Sequence, residues 1–202
     1  MKYIYLHGLG QTPDSWNRVL GYLNAPTNSI CPDLAKLVHG REAKYSDLYA
    51  AFSALCDTIN DELVLCGLSL GSVLALNYAI DHPERVKALV LIAPQYKMPR
   101  TLLKLQNLLF HFMPKSVFAQ MGFQKADFIR LCHSMAELDF SRSLHKVTCP
   151  ALVLCGEHDR ANQKAARMLA SLLKNAQFQQ IPNAGHEVNT DAPERLAEIL
   201  KK

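Results

Sequence analysis

A serine, an aspartate and a histidine occupy three loops of this 202-residue chain in which they could act together. Ser69 is the centre of the pentapeptide Gly67–Gly71, and Asp159 and His186 each follow a later apolar run. A serine hydroxyl is a weak nucleophile at neutral pH, and it needs a base whose tautomer is fixed by an acid. The three residues therefore predict nucleophilic catalysis. Ser69 would attack a carbonyl carbon, His186 would move the proton, and Asp159 would hold the imidazole.

The pentapeptide around Ser69 has the flanks that a catalytic serine needs. An apolar run of strand length, 63–66, precedes it, and 72–80 continues with apolar residues at helical spacing. A sharp turn between strand and helix strains its central residue, so small residues are needed two positions before and after it, and Gly67 and Gly71 lack a Cβ. The pattern predicts a nucleophile elbow, with the positive end of the helix directed at charge that develops near Ser69. The alternative is an ordinary Gly-Ser turn, because so short a pattern also occurs by chance.

The acid and the base each have a competing interpretation. Asp159 could serve only as the cap of the helix that follows it, since aspartate is common at that position. Glu157 is a second carboxylate in the same loop, but alternate loop positions point in different directions, so only one of the two can serve. His186 is preferred over the other histidines because it follows Gly185 in the loop directly behind the last strand.

The anionic intermediate of such a reaction needs hydrogen-bond donors that are already in place. The backbone N–H of Leu70, at the start of the helix after Ser69, is one candidate. The backbone N–H of Leu9, in the Gly-rich turn His7–Gly10 after the first apolar run, is the second. His7 itself is expected to shape this turn rather than to transfer protons.

Apolar runs alternate with amphipathic segments along most of the chain, which predicts a parallel sheet with helices on both faces. In such a sheet, the loops at the carboxyl ends of the strands carry the chemistry. The segment 34–45 has no clear period and is predicted to be a loop. The helix over 161–173 is expected to face the core with Ala165, Met168, Leu169 and Leu172. Strands are predicted near 2–6, 28–31, 63–66, 86–92, 150–155 and 177–181, and helices near 12–23, 46–59, 72–81, 161–173 and 191–200.

Residues 95–146 interrupt this alternation, because they contain helical patterns around 102–112, 117–121 and 128–132 but no strand-like run. The chain is therefore predicted to consist of an α/β core, 1–94 and 147–202, and a helical cap, 95–146. Most apolar cap residues are expected to pack within the cap, and a minority should line a pocket above the serine. The candidate lining residues are Leu68, Phe110, Phe118 and Met121.

The overall composition excludes several classes of function. The formal net charge is +4 without a dense basic block, which argues against nucleic-acid binding, and no apolar run reaches the ~18 residues of a membrane span. The N-terminus enters a strand directly and lacks the pattern of a signal peptide, so a cytoplasmic protein is expected. The six cysteines show no regular pairing, which favours buried reduced thiols, and no metal-binding spacing is present.

Taken together, these motifs resemble the α/β-hydrolase fold serine hydrolases, in the compact bacterial esterase-like group. The order Ser, Asp, His along the chain is the order of that family. The family implies an eight-stranded, mostly parallel sheet with a cap after the sixth strand. This chain begins at what would be the third strand, so about six parallel strands are expected. The resemblance covers nearly the whole chain and rests on His7–Gly10, Gly67–Gly71, Leu154–Asp159 and Asn183–His186.

The resemblance implies hydrolysis of a small-molecule carboxylic ester, thioester or lactone through an acyl-enzyme on Ser69, with no cofactor or metal. The apolar cap favours an apolar acyl or alkyl group. The same fold also hosts C–C bond hydrolases, a synthase of menaquinone biosynthesis with the same triad, perhydrolases, and small-ligand receptors with slow turnover. The basic residues of the cap are either a solvated face or a rim that attracts an anionic substrate such as a CoA thioester.

A histidine base makes activity depend on pH. An imidazole ordinarily gains its proton between about pH 6 and 7, and the protonated ring cannot accept the proton of Ser69. Activity is therefore expected to fall as the pH decreases through that range, as measured by the pH dependence of kcat/KM. A flat profile between pH 5 and 8 would contradict the role of His186.

Overall fold

A six-stranded, fully parallel sheet forms the centre of the computed structural model, which describes residues 1–24, 28–38, 43–98, 110–120 and 124–201. The strand order across the sheet is β2-β1-β3-β4-β5-β6. Both the number and the parallel direction of the strands confirm the prediction. The strands are β1 (Lys2–Leu6), β2 (Ser29–Ile30), β3 (Leu63–Leu68), β4 (Val86–Ile92), β5 (Ala151–Gly156) and β6 (Ala176–Ile181).

Helices cover both faces of the sheet because side chains alternate along each strand. Leu63 and Leu65 of β3 pack in one apolar core, and Cys66 and Leu68 pack in the opposite one. The helices α3, α4 and α7 lie on the first face, and α1 and α9 lie on the second. The helices are α1 (Asn17–Leu23), α2 (Leu34–Leu37), α3 (Tyr45–Asp57), α4 (Leu70–Asp81), α5 (Lys115–Gln120), α6 (Lys125–Met135), α7 (Arg160–Leu172), α8 (Val188–Asp191) and α9 (Pro193–Leu200).

Two local predictions were wrong. The segment predicted as a loop contains α2, which forms because the Asp33 carboxylate accepts the N–H groups of Ala35 and Lys36 at 3.1 and 3.2 Å. On α7, Met168 and Leu172 are 45% and 49% exposed, although the periodicity placed them inward. Leu169 is buried as predicted, and it shares the buried face with Ala166, so the helix is rotated relative to the prediction.

The insertion between β4 and β5 returns to the sheet beside the point at which it leaves. Its two ends pair as antiparallel backbone: Met98 N–H donates to Leu138 O at 3.0 Å, and Phe140 N–H donates to Tyr96 O at 2.8 Å. Helix α6 packs on α3, where the Tyr45 N–H donates to the Ser134 hydroxyl at 2.8 Å. The helix predicted around 102–112 lies largely outside the described residues. Among the described residues, no helix has the length and apolar character needed to cross a bilayer.

Close backbone contacts fix the junction between β3 and α4. A Cβ atom on Gly71 would lie 2.2 Å from the carbonyl oxygen of Leu6 in the neighbouring strand. A Cβ atom on Gly67 would lie 2.3 Å from the carbonyl carbon of Gly71. Neither backbone neighbour can move aside as a flexible side chain could. The two glycines therefore allow the helix to start directly against the sheet, as the sequence pattern predicts.

Substituting Gly71 tests this contact. We expect Gly71→Ala to lower the free energy of unfolding by about 3 kcal/mol, because the new methyl group overlaps the Leu6 carbonyl. Gly21 in α1 is a matched control, since a Cβ there meets nothing within 4 Å. Gly21→Ala should stabilise the protein by roughly 0.5–1 kcal/mol. Urea unfolding measures both changes, and equal midpoints for Gly71→Ala and the wild type would contradict the contact.

Candidate active site

The three predicted catalytic residues all lie at the carboxyl edge of the sheet. Ser69 follows β3, Asp159 follows β5, and His186 follows β6. Because all six strands are parallel, their carboxyl ends share one edge, where open α/β sheets bind their ligands. The fold therefore brings together three loops that are far apart in the sequence.

Ser69 has the strained backbone of a nucleophile elbow. Its φ and ψ angles are 52° and −111°, in a region that non-glycine residues rarely adopt. The Ser69 N–H donates to the carbonyl of Ile92 in β4 at 2.9 Å, which anchors the turn to the adjacent strand. The side chain stands half-buried immediately before the first residue of α4. This geometry places the hydroxyl at the end of the strand rather than in the core.

Asp159 and His186 are in direct contact. The Nδ1 atom of His186 lies 2.7 Å from Oδ2 of Asp159. The aspartate side chain is only 4% exposed, whereas the histidine side chain is 42% exposed. Asp159 occupies the N-cap position of α7, yet its side chain makes no capping hydrogen bond. The carboxylate is therefore held by side-chain donors, His186 and Asn162, and not by the backbone N–H groups of the helix that it precedes.

The charge on Asp159 determines the tautomer of His186. Burial raises the pKa of the Asp159 carboxyl, but hydrogen bonds from His186 and Asn162 outweigh it, so that the pKa lies below its usual value. The group is thus a carboxylate at neutral pH and can only accept hydrogen bonds. His186 must then carry a proton on Nδ1, which leaves a lone pair on Nε2 in the neutral ring.

The competing carboxylate, Glu157, has a different partner. Its Oε2 atom accepts the backbone N–H of Asn183 at 2.9 Å, in the turn after β6 where Asn183 has a φ of 56°. A second carboxylate, Asp191, accepts the N–H of Gly185 through Oδ2 at 2.8 Å. Both groups therefore brace the backbone of the loop that holds His186.

The segment around His186 crosses the carboxyl edge of the sheet. At one end, the His158 N–H donates to the Ala184 carbonyl at 2.9 Å, beside β5. Gly156 permits this approach, because a Cβ there would lie 2.0 Å from the carbonyl oxygen of Gly185. At the other end, the side chain of Asn189 is hydrogen-bonded to residues that follow β1. The segment thus runs from β5 to β1, across the ends of the strands between them.

A buried amide pair makes the second attachment. Gln11 Nε2 donates to Asn189 Oδ1 at 3.1 Å, and Asn189 Nδ2 donates to Gln11 Oε1 at 3.2 Å and to the Ser15 hydroxyl at 3.1 Å. The Gln11 Oε1 atom also accepts the Gly8 N–H at 3.2 Å. This pair connects the loop after β1 to the helix that follows His186.

Within the described residues, no hydrogen bond joins the Ser69 hydroxyl to His186. Such a contact is often longer before substrate binds.

The two candidate oxyanion donors, the backbone N–H groups of Leu9 and Leu70, have no hydrogen-bond acceptor among the described residues. The Gly8 N–H is taken by Gln11, whereas among the described residues no hydrogen bond uses the N–H of Leu9 or of Leu70. Leu70 is the first residue of α4, where N–H groups have no partner within the helix. Both N–H groups are therefore available at the carboxyl edge.

His7 is buried and engaged through both ring nitrogens. Its Nδ1 donates to the Gly8 carbonyl at 2.9 Å, and its Nε2 accepts the Leu34 N–H at 3.0 Å. Burial lowers the pKa of His7, which keeps the ring neutral. The residue thus connects the turn after β1 to α2 and has no nitrogen left for proton transfer.

Two of the four predicted pocket residues, Phe118 and Leu68, are buried. The ring of Phe118 lies 6.1 Å from that of Phe110 and 5.1 Å from that of Phe128. Phe118 belongs to the apolar core on one face of the sheet and has no exposed surface to offer a substrate. Leu68 is also buried, in the core beneath the elbow. Phe110 is half-buried, and Met121 lies outside the described residues.

Sequence reasoning missed the amides that hold the site, namely Gln11, Asn189, Gln95 and Asn162. The Nδ2 atom of Asn162 lies within 2.9 Å of both Asp159 carboxylate oxygens, and its Oδ1 accepts Gln95 Nε2 at 2.7 Å. The position of Asn162, one helical turn after Asp159, was the only available signal in the sequence.

The six thiols are free, and the described residues contain no cluster of His, Cys, Asp and Glu that could hold a metal ion.

Comparison with known proteins places this geometry in a family. A family model described as the alpha/beta hydrolase family matches residues 4–199. The chain belongs to the alpha/beta hydrolase family. This membership confirms the resemblance that the motifs indicated, and the six-stranded parallel sheet of the described residues is consistent with it.

Individual members of the alpha/beta hydrolase family are distantly similar to this chain. The pimeloyl-[acyl-carrier protein] methyl ester esterase of Aromatoleum aromaticum is 39% identical over 90 residues, covering 44% of this chain and 35% of that protein. The monoacylglycerol lipase ABHD6 of Homo sapiens is 20% identical over 246 residues, covering 98% of this chain and 73% of that protein. A solved structure of a thermophilic esterase from Thermogutta terrifontis has a TM-score of 0.79 and 20% sequence identity to this chain. The superposition covers 100% of this chain and 88% of the esterase chain, and shows the same fold.

The buried amide pair provides a test of how the His186 segment is held. We expect Asn189→Ala to lower the free energy of unfolding by about 2–3 kcal/mol, because it leaves the buried Gln11 amide without its partner. Asn17 is a matched control, since its side chain is exposed and, among the described residues, its amide makes a single hydrogen bond, to the exposed Asp14. Asn17→Ala should change the stability by less than about 1 kcal/mol. Equal losses for the two variants in urea unfolding would show that the pair does not stabilise the fold.

Proposed function

We propose that this protein is a serine hydrolase that cleaves a carboxylic ester, or a related thioester or lactone, through an acyl-enzyme on Ser69. The observation that carries the proposal is the 2.7 Å contact between His186 Nδ1 and the buried Asp159 carboxylate, on the same sheet edge as the strained Ser69. This arrangement leaves His186 Nε2 as the base for a serine hydroxyl. The names of the relatives, an esterase and a lipase, support ester chemistry.

The reaction follows from these positions in two steps. As the Ser69 oxygen bonds to the carbonyl carbon, its proton moves to His186 Nε2, and Asp159 stabilises the imidazolium. The N–H groups of Leu9 and Leu70 receive the developing oxyanion. The intermediate then expels the alcohol, which takes the proton from His186 and leaves an acyl ester on Ser69. Water attacks this ester with His186 again as base, and releases the acid and the free serine.

The insertion is proposed to be the cap over this site. The pairing of its two ends, Tyr96–Met98 with Leu138–Phe140, marks where the insertion leaves the sheet and returns to it. Phe112 in the insertion is 80% exposed. We propose that apolar residues of the insertion receive an apolar acyl or alkyl group of the substrate.

The basic residues of the insertion give less support to an anionic substrate. Lys97 pairs with Asp139 at 3.1 Å, and Arg130 pairs with Asp127 at 3.4 Å. Lys125 donates to two backbone carbonyls inside the cap. These pairs reduce the net positive charge that a substrate would meet. An uncharged ester is therefore preferred over a CoA thioester.

The alternatives on this fold are distinguished by turnover. A C–C bond hydrolase or a menaquinone-pathway synthase would use the same triad on a carbon leaving group, and a perhydrolase would accept peroxide in place of water. A slow-turnover receptor would hold its acyl-enzyme or ligand complex. Rapid and complete release of alcohol and acid from simple esters would favour the esterase over all of these.

The first test uses a fluorophosphonate probe and intact mass spectrometry. We expect a single adduct on the wild type and none on Ser69→Ala, because only an activated serine reacts with the probe. Asp159→Asn should lower kcat for a short-chain p-nitrophenyl ester by about 10²–10⁴-fold, since the wrong tautomer of His186 becomes favoured. Ser69→Ala should retain the wild-type thermal unfolding transition. An adduct on both proteins, or full ester hydrolysis by Ser69→Ala, would refute the proposal.

A further inference from the structure

The amide of Asn162 lies directly against the Asp159 carboxylate. Asn162 Nδ2 is 2.8 Å from Oδ1 and 2.9 Å from Oδ2 of Asp159. Asn162 is in the first turn of α7, so a regular helix holds it against the residue at its own N-cap. The carboxylate therefore has two side-chain donors, His186 and Asn162, that approach it from different elements.

The orientation of the Asn162 amide is set by its surroundings. A carboxylate only accepts hydrogen bonds, so the NH₂ group of Asn162 must face Asp159 and its Oδ1 must face away. Gln95 Nε2 donates to that Oδ1 at 2.7 Å. A reversed Asn162 amide would place an oxygen against the carboxylate and an NH₂ group against the NH₂ group of Gln95.

Gln95 is itself fixed at the base of the insertion. Two residues before it, the Ala93 N–H donates to the Leu154 carbonyl in β5 at 2.8 Å. On its other side, the Tyr96 carbonyl accepts the Phe140 N–H at 2.8 Å, in the paired ends of the insertion. Gln95 thus lies between the sheet and the cap, and Asn162 connects it to the catalytic acid.

The same amide also lies close to the base. Asn162 Nδ2 is 3.1 Å from His186 Nδ1, and both nitrogens donate to Asp159. Two donors cannot bond to each other, so this contact brings the positive end of the amide dipole next to the ring. Asn162 thus lies against both members of the Asp159–His186 pair.

We propose that Asn162 is a positioning residue for Asp159, with its amide direction set by Gln95. The inference rests on the proposed serine-hydrolase function. The terminal torsion of an aspartate side chain is broad. A second donor is therefore needed to keep Oδ2 aligned with His186 Nδ1. The pair also couples the base of the cap to the triad.

The other titratable groups around Asp159 do not compete for this role. The Cys155 thiol, 3.9 Å from Oδ2, has its pKa raised to about 12 by burial and by the nearby Asp159 charge, so it remains neutral. Glu157 and Asp191 accept backbone N–H groups of Asn183 and Gly185. Beside the weak and more distant Cys155 thiol, Asn162 is thus the close uncharged side-chain donor that faces the carboxylate together with His186 within the described residues.

The test measures the rate at which a fluorophosphonate labels Ser69. It compares Asn162→Leu, Gln95→Leu and the variant that carries both substitutions. Labelling needs no knowledge of the natural substrate. Asn162→Leu should slow labelling by about ten- to a hundredfold, because a charge-assisted hydrogen bond is lost. Gln95→Leu should slow it by about two- to tenfold. If Gln95 acts through Asn162, the double variant should equal Asn162→Leu.

Two further variants separate positioning from stability. Asn162→Ser retains a hydroxyl donor and should label at a rate between those of the wild type and Asn162→Leu. Asn175→Leu removes an exposed amide that donates to the Thr148 carbonyl at 2.8 Å, far from the site, and should label at the wild-type rate. Thermal unfolding of each variant shows which losses come from the fold.

Rescue by the conservative variant is a readout that a purely structural role would leave unchanged. Recovery of part of the labelling rate in Asn162→Ser, at an unfolding temperature equal to that of Asn162→Leu, would support positioning. Wild-type labelling by Asn162→Leu would overturn the inference. Additive losses in the double variant would overturn the role of Gln95. An unreactive wild type would instead refute the proposed function, and this inference with it.

Discussion

The buried carboxylate of Asp159 is the group on which the arrangement of the site depends. With 4% of its side chain exposed, it loses nearly all contact with water and must find donors in the protein. It finds them in His186, from the loop after β6, and in Asn162, from the first turn of α7. Its pKa stays below the usual value because these donors outweigh the cost of burial. One ionised group thus joins separate elements at the carboxyl edge.

The histidine loop shows how a long, irregular segment is held without regular secondary structure. Its backbone N–H groups are accepted by Glu157 and Asp191, and Gly156 leaves room for its backbone beside β5. At its far end, the amide pair of Gln11 and Asn189 attaches it to the loop after β1. These attachments lie on both sides of His186. They hold the backbone before and after the ring, so that the ring can approach Ser69 at the end of β3.

The insertion is connected to the candidate site by side-chain amides. Its ends pair with each other next to Gln95, and Gln95 contacts the amide of Asn162, which contacts Asp159. Its aromatic rings, among them the fully buried Phe118, pack in the same core as α3 and α4 on one face of the sheet. The insertion therefore contacts the rest of the fold through this shared core and through two amides beside Asp159.

The sequence by itself determined the parallel sheet, the elbow at Ser69 and the loops that carry Asp159 and His186, because these depend on local patterns: apolar runs, small residues at fixed spacing and the order of elements. It could not determine that Asp159 leaves its helix uncapped, that Glu157 braces Asn183, or that Phe118 is core. Nor did it indicate the amides of Gln11, Asn189, Gln95 and Asn162. The role of an amide depends on the groups that it hydrogen-bonds. Gln11 meets Asn189, and Gln95 meets Asn162, across elements that are distant in the chain. Only the tertiary structure, which brings the strand ends together, decided which polar groups face one another.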